Sequence, residues 1–254
     1  MKLFEHLEIE TQGSCNRSCP TCIRQSFPAK NHPLHKLRMP VTSKIGEGTK
    51  MPWKLFKKII DQANDLGFEG TVCLQHYNEP LLDERLPELA SYIRENLKGC
   101  YYLGACTNMD LINEPLAKKL DGLFHQFDVA LYMDEEKQAK REKYINSLFK
   151  KTKIHYTKGV HYYSHYSPWQ DLGQAIKDAS NKPCTYYNHQ FIIACDGTVL
   201  QCCDDYTGHF DLGNVKEKSL AEVWFGKKKR ELDSTLSEEG GRLNYEFCSI
   251  CPKS

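Results

Sequence analysis

The sequence lacks three features that would mark a nucleic-acid-binding, membrane or secreted protein. Its 254 residues contain 34 Lys and Arg against 33 Asp and Glu, and without a basic excess we do not expect duplex nucleic acid as a partner. No run approaches the roughly 18 apolar residues that cross a membrane. The first ten residues, MKLFEHLEIE, carry charges where a secretory signal needs an apolar segment. We therefore expect a cytoplasmic protein.

Cysteine, in contrast, is abundant. The chain contains 12 cysteines, which is well above the usual content of a cytosolic protein, and a chain of this length does not need disulfides to stabilise its core. Metal or redox chemistry is therefore the first explanation. The informative spacings are Cys15-x3-Cys19-x2-Cys22, Cys248-x2-Cys251 and the adjacent pair Cys202-Cys203.

The amino-terminal two thirds of the chain alternates apolar runs that predict strands with stretches of helical periodicity. Strands are expected at residues 7–11, 71–76, 101–106, 127–133 and 153–157, and helices at residues 51–66, 84–97 and from Asn113 onward. This alternation is typical of β/α units in a parallel sheet. We expect an α/β fold, a partial (β/α)6 TIM-like barrel, although an open doubly wound sheet has the same sequence pattern.

The pattern changes in the carboxy-terminal third. Two short β runs flank Asp196-Gly197, which is a hairpin signal. Residues 219–236 then predict one helix, with Ser219 as its N-cap and Glu222 completing a capping box. We therefore predict a barrel domain and a small hairpin-and-helix module, at residues 1–166 and 167–254.

The three amino-terminal cysteines follow the first predicted strand. Thiolates at this spacing converge on one face of an iron-sulfur cluster and leave the fourth iron open to a cofactor or substrate. The segment with Cys15, Cys19 and Cys22 resembles the radical S-adenosylmethionine (SAM) superfamily. In that family SAM binds the open iron and is cleaved to a 5′-deoxyadenosyl radical. The resemblance implies an enzyme with a 4Fe-4S cluster and SAM that abstracts hydrogen from its substrate.

Two later segments extend this resemblance. The family's Gly-Gly-Glu-Pro segment, which holds the SAM ammonium group, is similar to the His-Tyr-Asn-Glu-Pro of residues 76–80, and its Thr-Asn-Gly segment is similar to Thr107-Asn108. The resemblance implies SAM contacts from Tyr77, Asn78, Glu79, Thr107 and Asn108, with the carboxylate supplied by Glu79. The aromatic residue that the family usually has before the third cysteine is Thr21 here.

The carboxy-terminal cysteines offer a second ligand set. Four thiolates fit zinc or a fully ligated 4Fe-4S cluster equally well: Cys184, Cys202, Cys248 and Cys251. Together with the Leu-Gly-Asn-Val of residues 212–215, the arrangement resembles the twitch module, a shortened SPASM domain found in radical SAM enzymes, which implies one auxiliary 4Fe-4S cluster. Cys203 competes with Cys202, but strand alternation points the two to opposite faces, and the Gly-x4-Cys spacing favours Cys202.

The resemblance also suggests a reaction. Alcohol-oxidising members share the chain length and the spacing of the auxiliary cysteines, which implies a two-electron oxidation of a small polar molecule such as a sugar, aminocyclitol or nucleotide derivative. An electron donor such as flavodoxin or ferredoxin is the expected partner. Where such an enzyme has an arginine base, this chain has Ser164-His165-Tyr166, so His165 is the candidate base. The basic residues of segment 24–50 predict a lid over an anionic substrate.

Three alternatives stay open at this point. The same auxiliary module occurs in radical SAM enzymes that modify peptides or proteins, so a maturase is the second hypothesis. A redox-neutral reaction such as epimerisation has the same sequence signature. The last alternative is not an enzyme but a zinc-stabilised binding protein, although this hypothesis leaves the three amino-terminal cysteines without a nearby fourth ligand.

Overall fold

The structure is a computed structural model that describes residues 2–17, 19, 22, 49–131, 133–157, 181–184, 186, 188–205, 208–249 and 251. The predicted base His165 and nearly all of the predicted lid lie outside these residues. The strands are β1 His6–Ile9, β2 Gly70–Cys73, β3 Cys100–Thr107, β4 Gln126–Ala130, β5 Lys153–Thr157, β6 Gln190–Ile193 and β7 Val199–Leu200. The helices are α1 Trp53–Asp65, α2 Leu86–Asn96, α3 Glu114–Leu120, α4 Glu135–Leu148, α5 Leu220–Trp224, α6 Lys227–Leu236 and α7 Glu246–Ser249.

The described strands form one sheet in the order β5-β4-β3-β2-β1-β6-β7. Every neighbouring pair is parallel except β6 and β7, which form the predicted hairpin. From β1 to β5 each strand lies next to the one before it, so all the crossovers run in the same direction. Right-handed crossovers in one direction place all their helices on one face. The expected partial barrel is confirmed, and the doubly wound alternative is wrong.

The two faces of this sheet differ in chemistry, because side chains alternate along each strand. The helix side is apolar and belongs to the main core, with Leu7 and Ile9 of β1, Val72 of β2 and Phe127 and Val129 of β4 all buried. The register places a polar set on the opposite, concave face: His6, Glu8, Thr71, Cys73, Cys106, Asp128 and His155. A partial barrel of this kind has a polar interior, which suits a polar ligand.

Local sequence explains the helix boundaries. Helix α1 buries its apolar stripe against the sheet, and α3 begins after Asn113, whose side chain accepts a hydrogen bond from the Leu116 N–H at 3.0 Å. The capping box predicted for Ser219 and Glu222 is present at α5. No helix among the described residues is long and apolar enough to cross a membrane.

The single helix predicted over residues 219–236 is wrong, because the chain forms α5 and α6 with a break at Gly226. The Gly226 backbone is extended there, with ψ 156°. A Cβ at this position would lie 2.6 Å from the carbonyl oxygen of Glu222, so the sharp turn between the helices needs glycine.

Helix α5 joins the carboxy-terminal segment to the sheet through Trp224, which is fully buried. Its ring packs edge-on against Phe4 and Phe191, with centroids 5.3 and 5.7 Å away. Its indole N–H donates to the carbonyl oxygen of Lys2 at 2.9 Å. The β1–β6 edge of the sheet therefore depends on this aromatic cluster.

We predict that Trp224→Ala lowers the free energy of unfolding by about 3–5 kcal/mol, since it removes a large buried ring and leaves a cavity. The neighbouring Phe225 is 39% exposed, so Phe225→Ala serves as a matched control with a loss below about 1 kcal/mol. Urea unfolding, monitored by far-ultraviolet circular dichroism so that the signal does not depend on the tryptophan, measures the loss in both variants. Equal losses in the two variants would contradict the anchoring role of Trp224.

Candidate active site

The cysteine loop that follows β1 is attached to the end of β2. The Glu79 N–H donates to the Ser14 carbonyl at 2.9 Å. The Gln12 side-chain amide donates to the carbonyls of both Ser14 and Glu79, at 2.9 and 2.8 Å. Within the loop, the Cys22 N–H donates to the Cys19 carbonyl at 2.9 Å, which holds these two predicted ligands together. The loop is therefore built against the segment that the sequence assigned to SAM.

The Glu79 carboxylate is the centre of this attachment and is 2% exposed. One oxygen accepts from the Thr107 hydroxyl at 2.5 Å and the Leu81 N–H at 3.0 Å, and the other accepts from the Asn108 N–H at 2.8 Å. Burial raises its pKa, and these hydrogen bonds oppose the shift. A carboxylate accepts about four hydrogen bonds, so three internal donors leave room for one from a ligand. Glu79, Thr107 and Asn108 are thus brought together as the sequence predicts.

The other side of the cysteine loop is held by the end of β3. The Asn108 side-chain amide donates to the Asn16 side-chain oxygen at 2.9 Å. Arg17 makes a two-point contact with Asp110, with N–O distances of 2.6 and 2.5 Å. A bidentate arginine–carboxylate pair fixes direction as well as position. The loop is therefore clamped between the ends of β2 and β3.

Asn78 and Tyr77 lie in the loop after β2 but face different partners. The Asn78 side-chain oxygen accepts from the His76 N–H at 2.9 Å. The Asn78 Nδ2 is buried and has no hydrogen-bond partner among the described residues, which fits a ligand with an acceptor group such as a carboxylate. The Tyr77 hydroxyl instead donates to the Cys203 carbonyl at 2.6 Å, so its tip lies at the carboxy-terminal segment.

The four predicted auxiliary ligands are neighbours in the structure. Burial is the main cause that raises the pKa of the Cys202 and Cys248 thiols, and the Cys251 thiol adds to the shift of both. Cys184 also raises the pKa of Cys248. Cys203 packs elsewhere, against Ile192, Ala194 and Leu200 of the smaller apolar cluster. The strand-alternation argument does not apply to this pair, because β7 ends at Leu200 and both cysteines lie in the turn that follows it.

No group of three or more His, Cys, Asp or Glu in the described part of the chain is arranged as around one metal ion. A single zinc ion would require four ligands at about 2.0–2.3 Å from one point. A four-iron cluster has its thiolates on separate irons and therefore further apart. Four thiolates, one on each iron, complete the ligand set of such a cluster.

Two buried cations lie beside these thiols. Lys229 is 2% exposed, pairs with Asp233 at 2.5 Å and lies over the Trp224 ring at 4.5 Å. Burial lowers its pKa, while Asp233 and the Cys184 and Cys202 thiols favour its charged form. Arg242, which is also buried, lowers the pKa of Cys248. Fixed positive charge is the compensation that a buried, negatively charged thiolate cluster needs.

Comparison with known proteins agrees with this geometry. Residues 184–252 match the SPASM family, an iron-sulfur cluster-binding domain. The chain is 24% identical to the S-adenosyl-L-methionine-dependent 2-deoxy-scyllo-inosamine dehydrogenase of Niallia circulans, over 98% of this chain and 93% of the relative.

Solved structures show the same fold. BtrN in complex with AdoMet and 2-DOIA superposes with a TM-score of 0.72 at 21% identity, covering 98% of this chain and 92% of BtrN. Streptococcus suis SuiB bound to its precursor peptide SuiA superposes with a TM-score of 0.60 at 16% identity, covering 99% and 72%. The chain therefore has the fold of BtrN, and its residues 184–252 match an iron-sulfur cluster-binding domain. The zinc-stabilised binding protein is therefore set aside.

Sequence reasoning missed one buried pair of this enzyme, Glu8 and His76, whose side chains meet at 2.5 Å on the concave face. The signal was present in and just after β1, where His6, Glu8 and Glu10 alternate with Leu7 and Ile9. A parallel strand with helices on both faces is continuously apolar. Polar residues at every second position therefore indicate a polar interior.

The auxiliary ligand can be assigned by metal analysis of single variants. We predict that the wild-type enzyme, reconstituted without oxygen, binds about eight iron and eight sulfide per chain. Cys202→Ala is expected to lose about four of each, whereas Cys203→Ala, whose side chain packs against the smaller apolar cluster, keeps all eight. The reverse result would make Cys203 the ligand.

The buried charge beside the auxiliary thiols predicts a redox effect. Lys229→Met should lower the midpoint potential of the auxiliary cluster by on the order of 50–100 mV, the effect of one charge several ångströms away at an effective dielectric constant of about 20. Lys228→Met, which removes an exposed charge from the same helix, is the control. Potentiometry followed by electron paramagnetic resonance measures both shifts. Equal shifts would show that Lys229 has no special role.

Proposed function

We propose that this enzyme is a SAM-dependent dehydrogenase that oxidises a secondary alcohol of a small polar molecule, such as a sugar or aminocyclitol, to a ketone. The relative from Niallia circulans is named for such a reaction, and BtrN was solved with AdoMet and 2-DOIA. Both match nearly the whole of this chain. A polar concave face supports a hydrophilic substrate.

The cofactors of this function are SAM and two 4Fe-4S clusters, held by Cys15, Cys19 and Cys22 and by Cys184, Cys202, Cys248 and Cys251. When bound, they supply a 5′-deoxyadenosyl radical that removes hydrogen from carbon and an iron-sulfur acceptor for the second electron. Asn78 offers its unpartnered Nδ2 to the SAM carboxylate. Glu79 offers its remaining lone pair to the SAM ammonium group, and Thr107 and Asn108 hold Glu79 in place.

This proposal depends on the loop of residues 76–79, which contacts both the amino-terminal cysteine loop and the segment that carries the auxiliary cysteines. Glu79 is bonded to the cysteine loop through its backbone and to β3 through its carboxylate. Two residues earlier, the Tyr77 hydroxyl is bonded to the Cys203 carbonyl, next to an auxiliary ligand. A substrate at this loop lies within reach of the radical source on one side and the electron acceptor on the other.

The test uses enzyme reconstituted without oxygen, dithionite as reductant and 2-deoxy-scyllo-inosamine carrying deuterium on each carbinol carbon, with sugars and other aminocyclitols as further candidates. We predict SAM-dependent formation of 5′-deoxyadenosine that contains deuterium, together with an equal amount of ketone. Glu79→Gln should weaken SAM binding and reduce turnover while both clusters stay bound. Flavodoxin or ferredoxin in place of dithionite tests the expected electron donor.

Other products would contradict the proposal in defined ways. Deuterium in 5′-deoxyadenosine with an epimerised alcohol and no ketone would indicate a redox-neutral reaction. Cleavage of SAM that is stimulated only by peptides would indicate a maturase, the class suggested by the SuiB neighbour. Absence of any SAM cleavage by fully loaded enzyme would remove the dehydrogenase proposal altogether.

A further inference from the structure

The concave face of the barrel contains a buried histidine–carboxylate pair that joins β1 to the loop after β2. His76 Nδ1 lies 2.5 Å from a Glu8 side-chain oxygen, and the two side chains are 2% and 9% exposed. The other Glu8 oxygen lies 3.4 Å from His6 Nε2. Burying such a pair is costly unless its geometry is good. We therefore look for a functional role of this pair, because its burial does not by itself stabilise the fold.

The pair fixes the proton positions on the imidazole ring. Glu8 accepts a hydrogen bond from His76, which requires the proton on Nδ1 when the ring is neutral. The Nε2 atom is then an acceptor with an available lone pair. It is buried and has no hydrogen-bond partner among the described residues. A carboxylate behind Nδ1 and an unsatisfied Nε2 are the arrangement of an oriented general base.

The ring lies between the two predicted cofactor sites. His76 is three residues before Glu79, on the SAM side, and its ring packs against Tyr77, whose hydroxyl reaches the Cys203 carbonyl. The acidic groups that act on the ring come from two parts of the chain: Glu8 of β1 with Glu10 just after it, and Asp204 and Asp205 of the segment after β7. His76 is therefore placed between the loop that the proposed function assigns to SAM and the segment that carries the auxiliary ligand Cys202.

We propose that His76 Nε2 accepts the hydroxyl proton of the alcohol substrate and that Glu8 is the positioning residue behind it. This inference rests on the proposed function. The 5′-deoxyadenosyl radical takes the carbinol hydrogen atom, the O–H proton passes to Nε2, and the remaining unpaired electron passes to the auxiliary iron-sulfur acceptor as the C=O double bond forms. One hydrogen atom, one proton and one electron leave the substrate, which balances a two-electron oxidation.

The charges around the ring set the expected pH dependence. Burial disfavours the imidazolium form of His76, but Glu8, Glu10 and Asp204 together outweigh it, so the pKa of His76 is raised. Burial likewise opposes the charge on Glu8, but its two histidine neighbours lower the pKa of Glu8 to about 2, so it stays ionised. A base must be neutral to accept a proton, so turnover should fall as the pH decreases through the His76 pKa, with a midpoint above the ordinary 6.5.

The test compares wild type, His76→Gln and Glu8→Gln with deuterated 2-deoxy-scyllo-inosamine, or with whichever candidate alcohol the wild type oxidises. We expect His76→Gln to form ketone at least about 100-fold more slowly and to lose the acidic limb of the pH profile. It should still bind both clusters and place deuterium in 5′-deoxyadenosine, because hydrogen abstraction does not need the base. The control is His189→Gln, which replaces the histidine immediately before β6. We expect its turnover to equal that of the wild type.

Glu8→Gln keeps the proposal testable if the histidine variant does not fold. Removing the carboxylate should move the acidic limb to lower pH, because the imidazolium loses its stabilising partner. An unchanged limb in Glu8→Gln, or undiminished ketone formation by folded His76→Gln, would overturn the role of His76 while leaving the dehydrogenase intact. Absence of alcohol oxidation by the wild type would instead overturn the proposed function.

Discussion

Alternation of side chains along parallel strands is the constraint on which the rest of this structure depends. Strands β1 to β5 follow one another in order, so the crossover helices that the structure describes occupy one face and leave the other uncovered by helix. The covered face is apolar and forms the main core. The uncovered face is free to carry carboxylates, imidazoles and thiols. A strand such as β1 therefore stabilises the fold with Leu7 and Ile9 and supplies chemistry with Glu8.

The carboxyl ends of these strands are tied together by one buried carboxylate. Glu79 contacts the end of β3 directly, and its backbone holds the cysteine loop that follows β1. The same loop reaches the SPASM-type domain through Tyr77. The two predicted cluster sites are thus linked by four consecutive residues, 76–79. Under the proposed function, this short connection would let one loop contact cofactor, substrate and electron acceptor.

Much of this architecture is readable from sequence, and the failures have physical causes. The strands and the cysteine motifs were predicted because periodicity and ligand spacing are local signals. Helix α4 was missed because Ile145 is its one buried residue, so it has no apolar stripe. The break at Gly226 depends on a close backbone approach that periodicity does not reveal. The Glu8–His76 pair joins residues 68 apart, so only the folded sheet brings them together.

The central claim is that residues 76–79 lie between two iron-sulfur clusters, with His76 Nε2 facing the space between them. A crystal structure of the reconstituted enzyme with SAM, using anomalous scattering at the iron edge, tests it most directly. The account predicts two iron peaks, one at Cys15, Cys19 and Cys22 and one at Cys184, Cys202, Cys248 and Cys251, with the His76 ring between them. A single iron peak, or a His76 ring turned away with Nε2 bonded within the protein, would contradict it.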